Sequence, residues 1–204
     1  TAIIEGRFAS QIAPVEVKVR REVVSFVTDE HPKGTTAEAL AGLRPVFKKD
    51  GTVTAGNASG INDGAAAIVL ARAEAAEAAG LTPKFRVLGY AHAGVRPEVM
   101  GIGPVPAVQA LMARTGLTIA DFDVIESNEA FAAQALAVSA ALGLDPAKVN
   151  PNGGAIALGH PVGATGAILT VKAMYELERT SARIALITMC IGGGQGIALA
   201  IERL

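Results

Sequence analysis

The chain has 204 residues, half of them hydrophobic, with 18 Lys plus Arg against 19 Asp plus Glu and a formal net charge of −1. That balance excludes the basic footprint of a nucleic-acid or anionic-membrane binder, and no apolar run of about 18 residues is present to cross a bilayer. One Cys excludes a disulfide framework and a Cys-based zinc site; no metal site is expected, and a lone thiol fits a reducing, cytoplasmic setting.

Residues 1–57 form a loop-rich, partly exposed segment. Ile12–Val27 alternates charged residues with Val like a strand, broken at Arg20 and Arg21. Thr35 and Glu38, at capping-box spacing, predict a short helix through Leu43. From residue 58 to 204 strands and helices alternate. Ala65–Leu70 is an apolar run of strand length. Arg72–Ala79 is an Ala/Glu-rich helix stopped by Gly80. Phe85–Ala91 reads as a strand, Ala107–Arg114 as a helix ending at Gly116, and Asp123–Ser127 as a strand. Ala130–Leu142 is apolar nearly all round, which predicts a buried helix. A Gly-rich loop, 150–159, leads into a helix over 163–179, then strands 183–189 and 196–202 follow. The order βαβαβαββ predicts an α/β fold with a mixed sheet covered by helices on both faces. With 23 Gly and only 4% aromatics, its core should be built from small side chains and closely packed backbones.

Three stretches hold residues with chemistry. Cys190 ends a strand and precedes Ile191-Gly192-Gly193-Gly194-Gln195-Gly196, where glycines let a ligand approach the backbone and aim N–H groups at an anion. It reads either as a buried structural thiol or as a reactive one. His160 lies in a glycine-rich loop just before a helix, a setting that favours the neutral imidazole; it is a candidate base, or simply braces its loop. Asn128, joining a strand to a helix, is placed as an N-cap or as an amide at the carboxyl end of a strand, where open α/β sheets place ligands. His31 and His92 have no such setting and read as surface residues. Loops bearing an Asn, a His and a Cys, with many backbone donors, suit an acyl group whose carbonyl becomes an oxyanion. Neither GxGxxG nor a P-loop occurs, so nucleotide readings have little support.

Asn128–Phe131, Gly153–Gly166 (GGAIALGHPVGATG) and Cys190–Gly196 (CIGGGQG) closely resemble three signature stretches of the thiolase family's C-terminal half, and Thr52–Gly64 (TVTAGNASGINDG) resembles a fourth. The resemblance implies a layered α/β thiolase fold, with residues 1–57 the tail of a loop domain and 58–204 the C-terminal domain. It implies an acyltransferase of fatty acid metabolism that makes or cleaves 3-ketoacyl-CoA by Claisen condensation or thiolysis. No cofactor is permanently bound; acyl-CoA and coenzyme A are substrates and products. By motif, His160 activates the nucleophile and lines an oxyanion hole, and Asn128 holds a water completing it. Cys190 is the acid/base cysteine, and the Gly192 N–H belongs to a second oxyanion hole. Ser59, Ala55, Ala130 and Phe131 are implied to touch the pantetheine arm and Phe47 the adenine end. The nucleophilic Cys of the family belongs to the N-terminal half. The chain is therefore expected to work with that half as partner, in a homo-oligomer (dimer or tetramer), and to be unable to perform thiolysis alone. Two other readings are a non-catalytic CoA-thioester or lipid-binding module and a Cys190–His160 hydrolase.

Overall fold

A computed structural model describes all 204 residues. The alternating N-terminal stretch turns back at Arg20–Arg21, where Arg20 takes the left-handed conformation (φ 58°) that tight hairpin loops use. This gives β1 (Val15–Val19) and β2 (Glu22–Phe26), antiparallel with Val19 opposite Glu22. Every side chain of β2 is exposed, so the hairpin covers no core of this chain. The short helix α1 (Ala37–Ala41) starts one residue later than the sequence predicts. Thr36, not Thr35, caps it, accepting the Ala39 N–H at 3.2 Å. Glu38 thus falls one position short of a reciprocal capping box.

Ala65–Leu70 corrects a second expectation. The run has strand composition but no strand pairs with it, and Val69 and Leu70 are exposed. A strand needs a neighbour to share its N–H and C=O groups, and this chain supplies none there. Helix α2 (Ala73–Ala78) follows and ends before Gly80 at φ 67°, as predicted.

The rest is a three-layer unit. β3 (Phe85–Gly94), a 3-10 turn (Pro97–Ile102), α3 (Pro104–Thr115), β4 (Val124–Ser127), α4 (Ala132–Leu142), α5 (Ala155–Leu158), α6 (Thr165–Thr180), β5 (Ile184–Ile191) and β6 (Gln195–Arg203) follow in chain order. The strands form a mixed sheet in the order β3-β6-β5-β4, with β4 parallel to β5 and the other pairs antiparallel. Side chains alternate across this sheet. On one face Leu186, Ala198 and Ala200 meet Ala107, Val108 and Leu111 of α3. On the other, Ala185, Ile187 and Ile201 meet Leu169, Ala173 and Leu177 of α6. Each fully buried Val, Leu or Ile contributes about 1.5–3 kcal/mol, and the fully buried Ala91, Ala198 and Ala200 leave the sheet face flat for α3. The predicted α/β class, helices on both faces of a mixed sheet, is what the structure has.

Helix α4 departs from its apolar pattern. Only Val138 is buried, and Leu136 is 70% exposed. The helix meets the 3-10 turn and α3, and its other face meets nothing in this chain. It begins at Ala132 with Phe131 at the N-cap and no side-chain cap, so Asn128 is not its N-cap.

A candidate active site at the carboxyl end of the parallel strands

β4 ends at Ser127, opposite Thr188 of the longer β5, and the next N–H, that of Asn128, donates to the Thr188 carbonyl at 3.0 Å. Asn128 is thereby fixed at the carboxyl end of a parallel pair, the usual place for a ligand in an α/β sheet. Its side chain is buried, with Nδ2 3.4 Å from His160 Nε2 and Oδ1 without any partner. Two of the three predicted residues are therefore adjacent.

His160 is held at three atoms. Its N–H is shared between the Gly60 carbonyl and Asn62 Oδ1, each at 3.2 Å. Its Nδ1 lies 2.7 Å from the Thr165 hydroxyl, which also lies 2.8 Å from the Pro161 carbonyl. A carbonyl only accepts and a hydroxyl has one proton, so Thr165 donates to Pro161 and accepts from His160 Nδ1–H. That assignment leaves the lone pair on Nε2, facing Asn128. Burial lowers the pKa of His160, favouring the same neutral form.

The loop before His160 is tied to the sheet by side chains that imitate backbone. Asn150 Oδ1 accepts the Ser127 N–H at 2.9 Å, and its Nδ2 donates to the Ser127 carbonyl at 2.8 Å. Glu129 accepts the Ile156 N–H at 3.1 Å, at the start of α5, a favourable place for a carboxylate. A Cβ on Gly154 would sit 2.2 Å from the Glu129 carboxyl carbon, so only glycine admits that contact. Beneath the loop, Lys172 donates at 2.7 Å to both Glu126 and the Gly153 carbonyl. Glu126 is fully buried; burial pushes its carboxyl upward, and Lys172 opposes that shift.

Cys190 lies within β5, one residue before its end, and is buried. Burial raises its pKa above the usual thiol value, and no hydrogen bond joins its thiol to His160 or Asn128. The three-residue turn that follows has Gly193 and Gly194 at φ 88° and 96°, with open space over Gly192. The residues expected to meet a pantetheine arm lie along one strip. The Ser59 N–H donates to the Ala130 carbonyl at 3.1 Å, and the Ala132 N–H to the Asn57 carbonyl at 2.9 Å. Phe47 packs edge-on to Phe131 with ring centroids 6.0 Å apart. Ala55 lies in the turn closed by the Thr54 N–H on Asn57 Oδ1.

The sequence alone did not single out Thr165, Asn62, Glu129, Asn150 or His31. His31, read as a surface residue, is in fact half-buried and hydrogen-bonded to two segments of the site; His92 is exposed as expected. A hydroxyl residue at the first position of the helix that follows His-Pro, as Thr165 is, would have been the usable signal.

Residues 81–203 match the family described as thiolase, C-terminal domain, and residues 1–74 match thiolase, N-terminal domain. This chain belongs to the thiolase family. It is 60% identical to a beta-ketothiolase of Cupriavidus necator and 57% identical to an acetyl-CoA acetyltransferase of Escherichia coli, in each case over 100% of this chain and 52% of the relative. Among solved structures it superposes on the Bacillus anthracis acetyl-CoA acetyltransferase with a TM-score of 0.97 at 51% identity, covering 100% of this chain and 52% of that one. A human mitochondrial 3-ketoacyl-CoA thiolase in complex with CoA gives 0.90 at 44% identity, covering 100% and 51%. The chain thus spans about half the length of the thiolases it matches. The thiolase C-terminal match takes in the whole four-stranded sheet with Asn128, His160 and Cys190, whereas the N-terminal match takes in the exposed hairpin, α1, the unpaired apolar run and the segments that bring His31, Ser59 and Asn62 to the site.

Proposed function

We propose that this chain supplies the proton-handling part of a thiolase active site, and that a segment carrying the nucleophilic cysteine completes it. The observation that carries the reading is the Asn128–His160 pair, with Nε2 of a neutral imidazole aimed at a buried amide whose oxygen has no partner. In thiolysis of a 3-ketoacyl-CoA, His160 Nε2 takes the proton of the nucleophilic thiol, the thiolate attacks the keto carbonyl, and the Nε2–H so formed faces the oxyanion beside Asn128. The bond between the α-carbon and that carbonyl breaks, and the Cys190 thiol protonates the departing acetyl-CoA carbanion. Incoming CoA then returns a proton to the Cys190 thiolate as its sulfur takes the acyl group, so proton and acyl group both balance. The buried, raised thiol favours this role over a hydrolase dyad: Cys190 is protonated when a donor is needed, and no hydrogen bond to His160 activates it as a nucleophile.

Coenzyme A thioesters are the proposed ligands, with Ser59, Ala55, Ala130 and Phe131 along the pantetheine arm, Phe47 at the adenine end and Gly192 at a second oxyanion site. The exposed 65–70 run and the outer face of α4 are surfaces for the completing segment. The enzyme is proposed to act in the cytoplasm as a homo-oligomer. The test is CoA-dependent cleavage of acetoacetyl-CoA by this chain assembled with that segment. Wild-type assembly should turn over, and Cys190→Ser should keep part of the acetylation of the nucleophile by acetyl-CoA while losing the carbon–carbon step read with acetoacetyl-CoA. Equal loss of both half-reactions would overturn the division of roles.

A further inference from the structure

A one-turn helix leaves carbonyls without partners, and α5 shows where one of them goes. The Gly159 N–H is used by Ala155, the His160 N–H goes to Gly60 and Asn62, and Pro161 has none, so the turn cannot satisfy the Ile156 carbonyl. His31, from a segment 125 residues away, places Nε2 3.1 Å from that oxygen. A carbonyl only accepts, so Nε2 carries the proton and Nδ1 the lone pair. Asn62 Nδ2 lies 3.4 Å from Nδ1 and donates to it. That orientation turns Asn62 Oδ1 toward the His160 N–H, 3.2 Å away. Proton directions therefore run one way, from His160 through Asn62 and His31 to Ile156. The contact is close on both sides. A Cβ on Gly60 would lie 2.3 Å from His31 Cε1, and one on Gly159 2.5 Å from Asn62 Oδ1.

We infer that His31, acting through Asn62, is a positioning residue for His160, holding the proton-handling loop at both its Ile156 carbonyl and its His160 N–H. The inference rests on the role given to His160 above. Imidazole suits the task because one rigid ring donates at Nε2 and accepts at Nδ1; Lys or Arg could not accept.

The test is long-range proton–nitrogen NMR of the chain labelled with nitrogen-15 histidine, together with amide exchange at His160. The chain has three histidines, so each ring is separately readable. His31 should show a single Nε2–H tautomer, unlike the exposed His92. In His31→Ala, exchange of the His160 amide should speed up roughly tenfold, the effect of one lost hydrogen bond. His31→Asn, which keeps an acceptor at the δ position, should recover part of that protection. Mixed tautomers at His31, or unchanged exchange in His31→Ala, would overturn the inference. The wild-type tautomer needs no variant, so it decides the matter even if His31→Ala fails to fold. An intact NMR pattern with no CoA-dependent turnover in the assembled enzyme would instead count against the thiolase mechanism alone.

Discussion

Residues 1–82 and 83–204 have similar proportions of small and apolar residues, yet they fold differently. In the first region only Phe8 and Ala76 are buried, while the second holds both faces of a four-stranded sheet. The runs Val15–Val19 and Ala65–Leu70 are as strand-like as Ile184–Ile191, but only the last finds two neighbours and two covering helices. The contrast teaches that periodicity specifies which face a segment offers, and that partners decide whether the face is used.

Substitutions should separate the two regions. The largest effect is expected from Lys172→Ala, which leaves Glu126 buried and unpaired; about 3–5 kcal/mol of stability should be lost in urea unfolding. Leu111→Ala, in the core under the sheet, should cost about 3 kcal/mol. Thr165→Val strands His160 Nδ1–H without an acceptor and should cost about 1–2 kcal/mol while shifting the tautomer seen by NMR. His160 titrates below 6.5 because it is buried, so in that range the unfolded chain binds more protons than the folded one. Its contribution to stability is therefore full above pH 6.5 and is lost as pH falls through the depressed value. Unfolding midpoints across this range should show that slope in the wild type and a smaller one in His160→Gln. Val69→Ser, in the exposed run, should stay within about 0.5 kcal/mol. A larger loss there would mean that the region is not independent of the core.

Much of the core unit was legible in the sequence. Gly80 and Gly116 marked helix ends, both found at positive φ, and the order of strands and helices predicted the mixed covered sheet. Asn128 and His160 were legible as neighbours because their motifs sit at the ends of a strand and of a loop facing it. What was not legible depends on through-space partners. The Asn150 amide pairs with Ser127 across 23 residues, and His31 reaches Ile156 across 125. No local pattern encodes such a pairing. The same holds for α4, whose apolar circumference said only that it wants covering, and for the cap of α1, where the spacing to Glu38 pointed to Thr35 and the helix uses the adjacent Thr36.

The most direct test of the proton-handling account uses the single thiol of this chain. The rate of Cys190 alkylation should be followed against pH in the ligand-free protein. A buried acid/base thiol predicts slow labelling at neutral pH, with a rate that climbs with pH and is still climbing past the ordinary thiol value of 9.0. Rapid labelling at neutral pH, levelling off there, would mean a resident thiolate and would contradict the account.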